Sequence, residues 1–145
     1  MAAEVKKSGR ILIVDDDQDA REILHRLLSN EGYDCLLAEG GERCLEVVRA
    51  EPVDVILLDV MMPGMDGIQV CDELRNDPKL RSIPVILLTA RDDISTRAQG
   101  MERGVSEYLT KPVNKRELFT RVQSQLHLRE LDRQLSRTAA DIEND

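Results

Sequence analysis

Asp15 and Asp16 close one short apolar run, Asp59 closes a second, Thr89 follows a third and Lys111 follows a fourth. Carboxylates, a hydroxyl and an ammonium make up the chemistry of a phosphoryl site. Acids hold a hard cation, one acid serves as nucleophile, and the hydroxyl and ammonium neutralise phosphoryl oxygens. Carboxylates brought close repel one another and raise each other's pKa unless a cation joins them. A donor set of oxygens, free of His and Cys, suits Mg²⁺, with Mn²⁺ as a substitute. Asp59 could then accept phosphorus as an aspartyl phosphate, with Lys111 and the cation each balancing an oxygen and the Thr89 hydroxyl donating to a third. Asp17 and Asp19 have a plainer role, as caps of the helix that follows. A calcium loop begins similarly, with Asp15, Asp17 and Asp19 at its first ligand positions, but Ala20 stands in place of the required Gly and Arg26 in place of the closing Glu.

These residues can meet only if the runs before them are neighbouring parallel strands, whose carboxyl ends share one edge. The pattern predicts strands at Ile11–Val14, Cys35–Ala38, Val53–Leu58, Ile83–Leu88 and Ser106–Thr110. Between them lie helical stripes. Ala20, Ile23, Leu24, Leu27 and Leu28 form the first; Cys44, Leu45, Val47 and Val48 the second; Ile68, Cys71 and Leu74 the third. Ile94, Ala98 and Met101 give residues 93–103 a thin apolar face, which marks the most mobile helix. A last helix starts near Asn114 with Leu118, Val122 and Leu126 inward. Five strands alternating with five helices give an α/β fold, a doubly wound five-stranded parallel sheet.

At 145 residues the chain suits one main domain: a flexible lead-in over 1–9, a globular body over 10–127 and a helical extension over 128–145. Leu128, Leu131 and Leu135 repeat at the spacing of a coiled-coil seam, which suits helix pairing, a stalk to an output domain or a solvated amphipathic end, with a frayed tail from Thr138. A net charge of -8 argues against nucleic-acid binding and suits a protein that gathers divalent cations. No apolar run is long enough for membrane insertion. Cys35, Cys44 and Cys71 lie apart in apolar patterns, as reduced core thiols of a cytoplasmic protein do.

The stretches ILIVDDD at 11–17, LLDVMMPGMDG at 57–67, VILLTA at 85–90 and YLTKP at 108–112 together resemble the receiver domain of bacterial two-component response regulators. The resemblance spans about residues 9–127. It implies a flavodoxin-like sheet of order 2-1-3-4-5 with the site at the switch point. By motif position, Asp16 would bind Mg²⁺ directly, Asp15 partly through water, Asp59 as ligand and phosphoacceptor, and Met61 through its backbone carbonyl. Thr89, the Ala90 N–H and Lys111 would contact phosphoryl oxygens, and Lys111-Pro112 would be cis. Thr89 and Tyr108 would form the switch that alters the face built from the last two helices and the strand between them. The resemblance implies a histidine kinase or phosphotransfer protein as donor; the helical end makes an output domain or effector and a homodimer through residues 93–135 the further candidate partners. It implies no enzymatic activity toward a separate substrate.

Met61 and Arg91, two positions after Asp59 and Thr89, should flank the path of water to the acyl phosphate. An apolar Met cannot orient that water, which predicts a long-lived phospho-form. Two alternatives stand beside this reading. One is a receiver that has lost phosphorylation and serves as an interaction module. The other is a phosphatase similar to the haloacid dehalogenases, whose DxDx[TV] motif Asp15-x-Asp17 half matches, although Asp19 occupies the Thr or Val position.

Overall fold

The computed structural model describes residues 9–143, with side chains described through Arg137. Five strands, β1 (Arg10–Val14), β2 (Asp34–Ala38), β3 (Val55–Asp59), β4 (Val85–Ala90) and β5 (Glu107–Lys111), form one parallel sheet of order β2-β1-β3-β4-β5. Helices α1 (Gln18–Asn30), α2 (Gly41–Ala50), α3 (Gly67–Asn76) and α4 (Ile94–Glu102) alternate with the strands, and α5 (Lys115–Glu143) follows the last. The predicted doubly wound fold and its strand order are present. Residues 1–8 of the expected lead-in lie outside the described residues; the Gly9 carbonyl accepts from the Asp34 N–H.

Strands β3 and β4 begin two residues later than predicted, and β4 runs two residues further. The Asp54 carboxylate accepts from the Arg10 N–H ahead of β3, and Pro84, which has no N–H to pair, lies ahead of β4. The displacement carries Asp59, Thr89 and Ala90 into the ladders. β5 likewise runs from Glu107 and includes Lys111.

Alternate strand residues feed two cores, as period-2 geometry requires. Leu12, Val14, Ile56, Leu58 and Leu87 pack under α2 and α3. Ile11, Ile13, Leu57, Ile86, Leu88 and Leu109 pack under α1 and α5. Cys44 and Cys71 are buried free thiols, with pKa values pushed up by burial to about 12, so neither is a ready nucleophile.

Two predicted helix faces need correction. In α1, Leu24 and Leu28 are buried, but Ile23 is 56% exposed. In α4 the predicted apolar face points away from the sheet: Ile94 is 72% and Met101 54% exposed, Ala98 is exposed, and Gly100 is the buried residue. A Cβ at Gly100 would come within 2.4 Å of Leu87 Cδ1, so α4 lies against β4 through the residue that has no side chain.

Helix α5 starts at Lys115, with the Asn114 side chain accepting from the Glu117 N–H, and buries Leu118 and Val122. It passes Leu128 without a break and continues to Glu143, beyond the Thr138 at which fraying is predicted. Its extension is tied to the N-terminal edge of the sheet. Arg129 donates to the Ser82 carbonyl and hydroxyl at 3.0 and 2.8 Å, and Arg133 donates to the Asp54 carboxylate. Among the described residues no helix is long and apolar enough to cross a membrane.

Candidate functional site

Ladder register brings the polar strand ends together. Val14 pairs with Leu58, so Asp15 lies one step past the ladder, level with Asp59; Asp59 pairs with Leu88, Thr89 with Thr110, and Ala90 with Lys111. Lys111 Nζ lies 3.1 Å from Asp15 Oδ2 and 3.0 Å from Asp59 Oδ1. One ammonium thus bridges acids from β1 and β3.

Asp15 is fully buried and held from several sides. Its other carboxylate oxygen accepts from the Asp17 N–H at 2.9 Å, and its carbonyl accepts from the Arg21 guanidinium at 2.6 Å. Asp16 is exposed, yet carboxylate oxygens of Asp15, Asp16 and Asp59 lie within 4.8 Å of one another. Asp17 caps α1 by accepting from the Asp19 N–H, and residues 18–30 are helical, so no twelve-residue calcium loop forms there.

Behind Asp59 the chain has no room for a side chain at Gly67, where a Cβ would meet the Asp59 carbonyl and Val60 Cα at 2.8 Å. Asp66 and Gln69 close a reciprocal capping box at the same point, which fixes the start of α3 against the site. Gly67 is legible in the sequence only as a turn residue; its tight approach to Asp59 needs the fold.

Burial raises the Asp59 pKa to about 6; Lys111 and the Met61 backbone N–H oppose the rise and Asp15 adds to it. Burial also works against the Lys111 ammonium, but Asp59 and Asp15 outweigh it and hold its pKa above the ordinary lysine value. The site therefore concentrates negative charge that one lysine only partly balances. Three oxygen donors around such a spot fit a hard divalent cation of the Mg²⁺ or Mn²⁺ kind.

Thr89 is buried, and its hydroxyl accepts from Arg97 Nε of α4 at 3.2 Å. Tyr108 is 40% exposed, with the Arg97 guanidinium 4.8 Å above its ring. The Met61 side chain is 71% exposed and Arg91 is exposed, both on loops at this edge. Lys111-Pro112 is cis, as expected. Sequence reasoning missed Arg97, because an arginine in an amphipathic helix reads as a solvent-facing residue and no periodic signal turns it inward.

Residues 11–123 match the family model described as the response regulator receiver domain. The response regulator PleD of Caulobacter vibrioides (strain NA1000 / CB15N) is 47% identical over 117 residues, covering 81% of this chain and 26% of PleD. The response regulator MprA of Mycobacterium ulcerans (strain Agy99) is 42% identical over 125 residues, covering 86% of this chain and 53% of MprA. The chain thus spans about a quarter to a half of these relatives. Among solved structures, the signal receiver domain of a signal transduction histidine kinase from Syntrophus aciditrophicus superposes with TM-score 0.77 and 35% identity, covering 83% of this chain and 91% of that one. The chemotaxis protein CheY4 of Vibrio cholerae does so with TM-score 0.76 and 27% identity, covering 81% of this chain and 98% of that one.

Proposed function

Since the chain belongs to the response regulator receiver domain family, we propose that Asp59 is its phosphoacceptor and that a phosphohistidine of a histidine kinase or phosphotransfer protein is the donor. In the transfer a carboxylate oxygen of Asp59 bonds to phosphorus while the P–N bond breaks, and the departing imidazole nitrogen keeps the electron pair. Lys111, already between Asp15 and Asp59, balances charge on one phosphoryl oxygen. Asp15, Asp16, Asp59 and the Met61 carbonyl would hold Mg²⁺, and Mn²⁺ offers the same preference for oxygen donors. When bound, the cation supplies positive charge to the entering phosphoryl group and relieves repulsion among the carboxylates. Thr89 and the Ala90 N–H donate to the remaining oxygens.

The observation that carries this reading is the ammonium of Lys111 shared by two carboxylates distant in sequence, with a third in reach. The output is a changed interaction surface rather than turnover of a separate substrate. We assign that surface to α4, β5 and α5, where Ile94, Met101, Tyr108, Leu128, Leu131 and Leu135 are exposed, and place the protein in the cytoplasm. A homodimer through residues 93–135 and an output domain or effector are the partners this assigns. The test is incubation with acetyl phosphate and Mg²⁺ followed by intact mass measurement. One phosphoryl group should add to the wild type and none to Asp59→Asn or to a chelator-treated sample; an unmodified wild type would refute the assignment.

A further inference from the structure

Arg97 makes an unusual set of contacts for an arginine on an exposed helix. Its Nε donates to Thr89 Oγ1 at 3.2 Å; one terminal nitrogen donates to the Ala90 and Arg91 carbonyls at 3.1 and 2.9 Å and to Thr110 Oγ1 at 3.1 Å. The same guanidinium lies over the Tyr108 ring. A planar fork of donors suits this job, since it reaches several acceptors in fixed directions, which a lysine cannot do. One side chain of α4 therefore grips the hydroxyl beside the phosphoacceptor, the backbone of the loop after β4, and the aromatic ring on the outer surface.

We infer that Arg97 is a positioning residue, a latch that holds the unphosphorylated arrangement by keeping the Thr89 hydroxyl turned toward α4 and the Tyr108 ring outward. The inference rests on the phosphoacceptor reading of Asp59. A phosphoryl group on Asp59 offers the Thr89 hydroxyl a new acceptor, and a turn of Thr89 toward it withdraws the oxygen that Arg97 Nε binds. Loss of that bond loosens the guanidinium over Tyr108 and frees the loop carbonyls that anchor the first turns of α4. Hydrogen bonds specific to one arrangement bias the equilibrium by their differential strength, and removing them favours the other arrangement.

Beryllofluoride with Mg²⁺, a non-transferring stand-in for phosphoryl and its metal, tests the latch without turnover. Titrated against the full chain and followed by NMR, Arg97→Met should half-saturate at about three- to tenfold lower beryllofluoride than wild type, the effect of losing one or two state-specific hydrogen bonds. Its Tyr108 ring resonances should already lie toward their bound positions before any ligand is added. Arg97→Lys should fall between the two. A merely structural role for Arg97 would weaken binding and leave the Tyr108 shifts of the folded fraction unchanged, and that outcome overturns the latch. Equal midpoints with clear binding in both proteins overturn the latch and leave the phosphoacceptor reading intact. No binding in either overturns both. Should Arg97→Met fail to fold, Thr110→Val decides, because it removes one anchor and keeps the arginine: a lowered midpoint supports the latch, and an unchanged midpoint overturns it.

Discussion

Helices α2 and α4 cover the same side of the sheet and are of nearly equal length, but they are attached by different forces. α2 buries Cys44, Leu45, Val47 and Val48 in the core beneath it. α4 buries Gly100 alone and turns Ile94 and Met101 outward. Polar clasps supplement that single contact: Arg97 near its start, and at its end the Arg103–Asp72 ion pair at 2.7 Å and the bond from Arg75 to the Glu102 carbonyl at 2.7 Å. Buried apolar area is lost all at once when a helix moves, whereas a hydrogen bond can be exchanged for another at little net cost. The β2 side of the molecule is thus held mainly by buried apolar area and α4 mainly by polar contacts.

Truncation measures the contrast most directly. Leu45→Ala should cost about 2–4 kcal/mol in denaturant unfolding, while Met101→Ala should stay within about 0.5 kcal/mol; equal costs would break the comparison. Filling the seat of α4 should come next. Gly100→Ala drives a methyl into Leu87 and should cost about 1–3 kcal/mol, and an unchanged midpoint would show that α4 does not rest on that residue.

The third test separates function from stability at the site itself. With the folded Asp59 pKa raised to about 6 and an unfolded value of about 4, the folded state holds this proton more tightly. The associated stability is then present below pH about 4 and lost as pH rises through about 6. In chelator at pH 7, Asp59→Asn should therefore be more stable than wild type by about 1–2 kcal/mol, with the gain vanishing near pH 4. A lower melting temperature for the Asn variant at pH 7 would contradict the burial argument. The smallest effect concerns Met61 and Arg91, both exposed on the segments that follow β3 and β4. Met61→Asn with Arg91→Glu should shorten the phospho-form lifetime by about three- to tenfold, equivalent to about 1 kcal/mol of barrier, as read from phosphate release. A decay no faster than wild type would remove the proposed role of Met61 and Arg91.

The site was more legible in the sequence than the helix that answers it. Asp15, Asp59, Thr89 and Lys111 each terminate or follow an apolar run, and in a parallel sheet run ends become neighbours, so linear position translated directly into proximity. Strand starts were less legible, because Val53 and Ile83 are as apolar as the ladders that begin two residues later, and the polar ties of Asp54 do not show in hydropathy. The apolar face that the sequence predicts for α4 differs from the buried one for a physical reason. Periodicity assumes that apolar side chains face the sheet, yet here Leu87 occupies that space, and the face with the smallest residue is the one that fits. Ile23 of α1 fails similarly: a stripe as wide as the one read there need not be covered at its margin.

The clamps of Arg129 on Ser82 and Arg133 on Asp54 give α5 a second point of support, at the end of the sheet opposite Asp59. A rod held at two places cannot wag freely. With a rise of about 1.5 Å per residue the rod is roughly 40 Å long, and the two clamping arginines lie about midway along it. Leu128, Leu131 and Leu135 are exposed before, between and after those arginines, so the bearing of this apolar row is set by the residues that lead into β3 and β4.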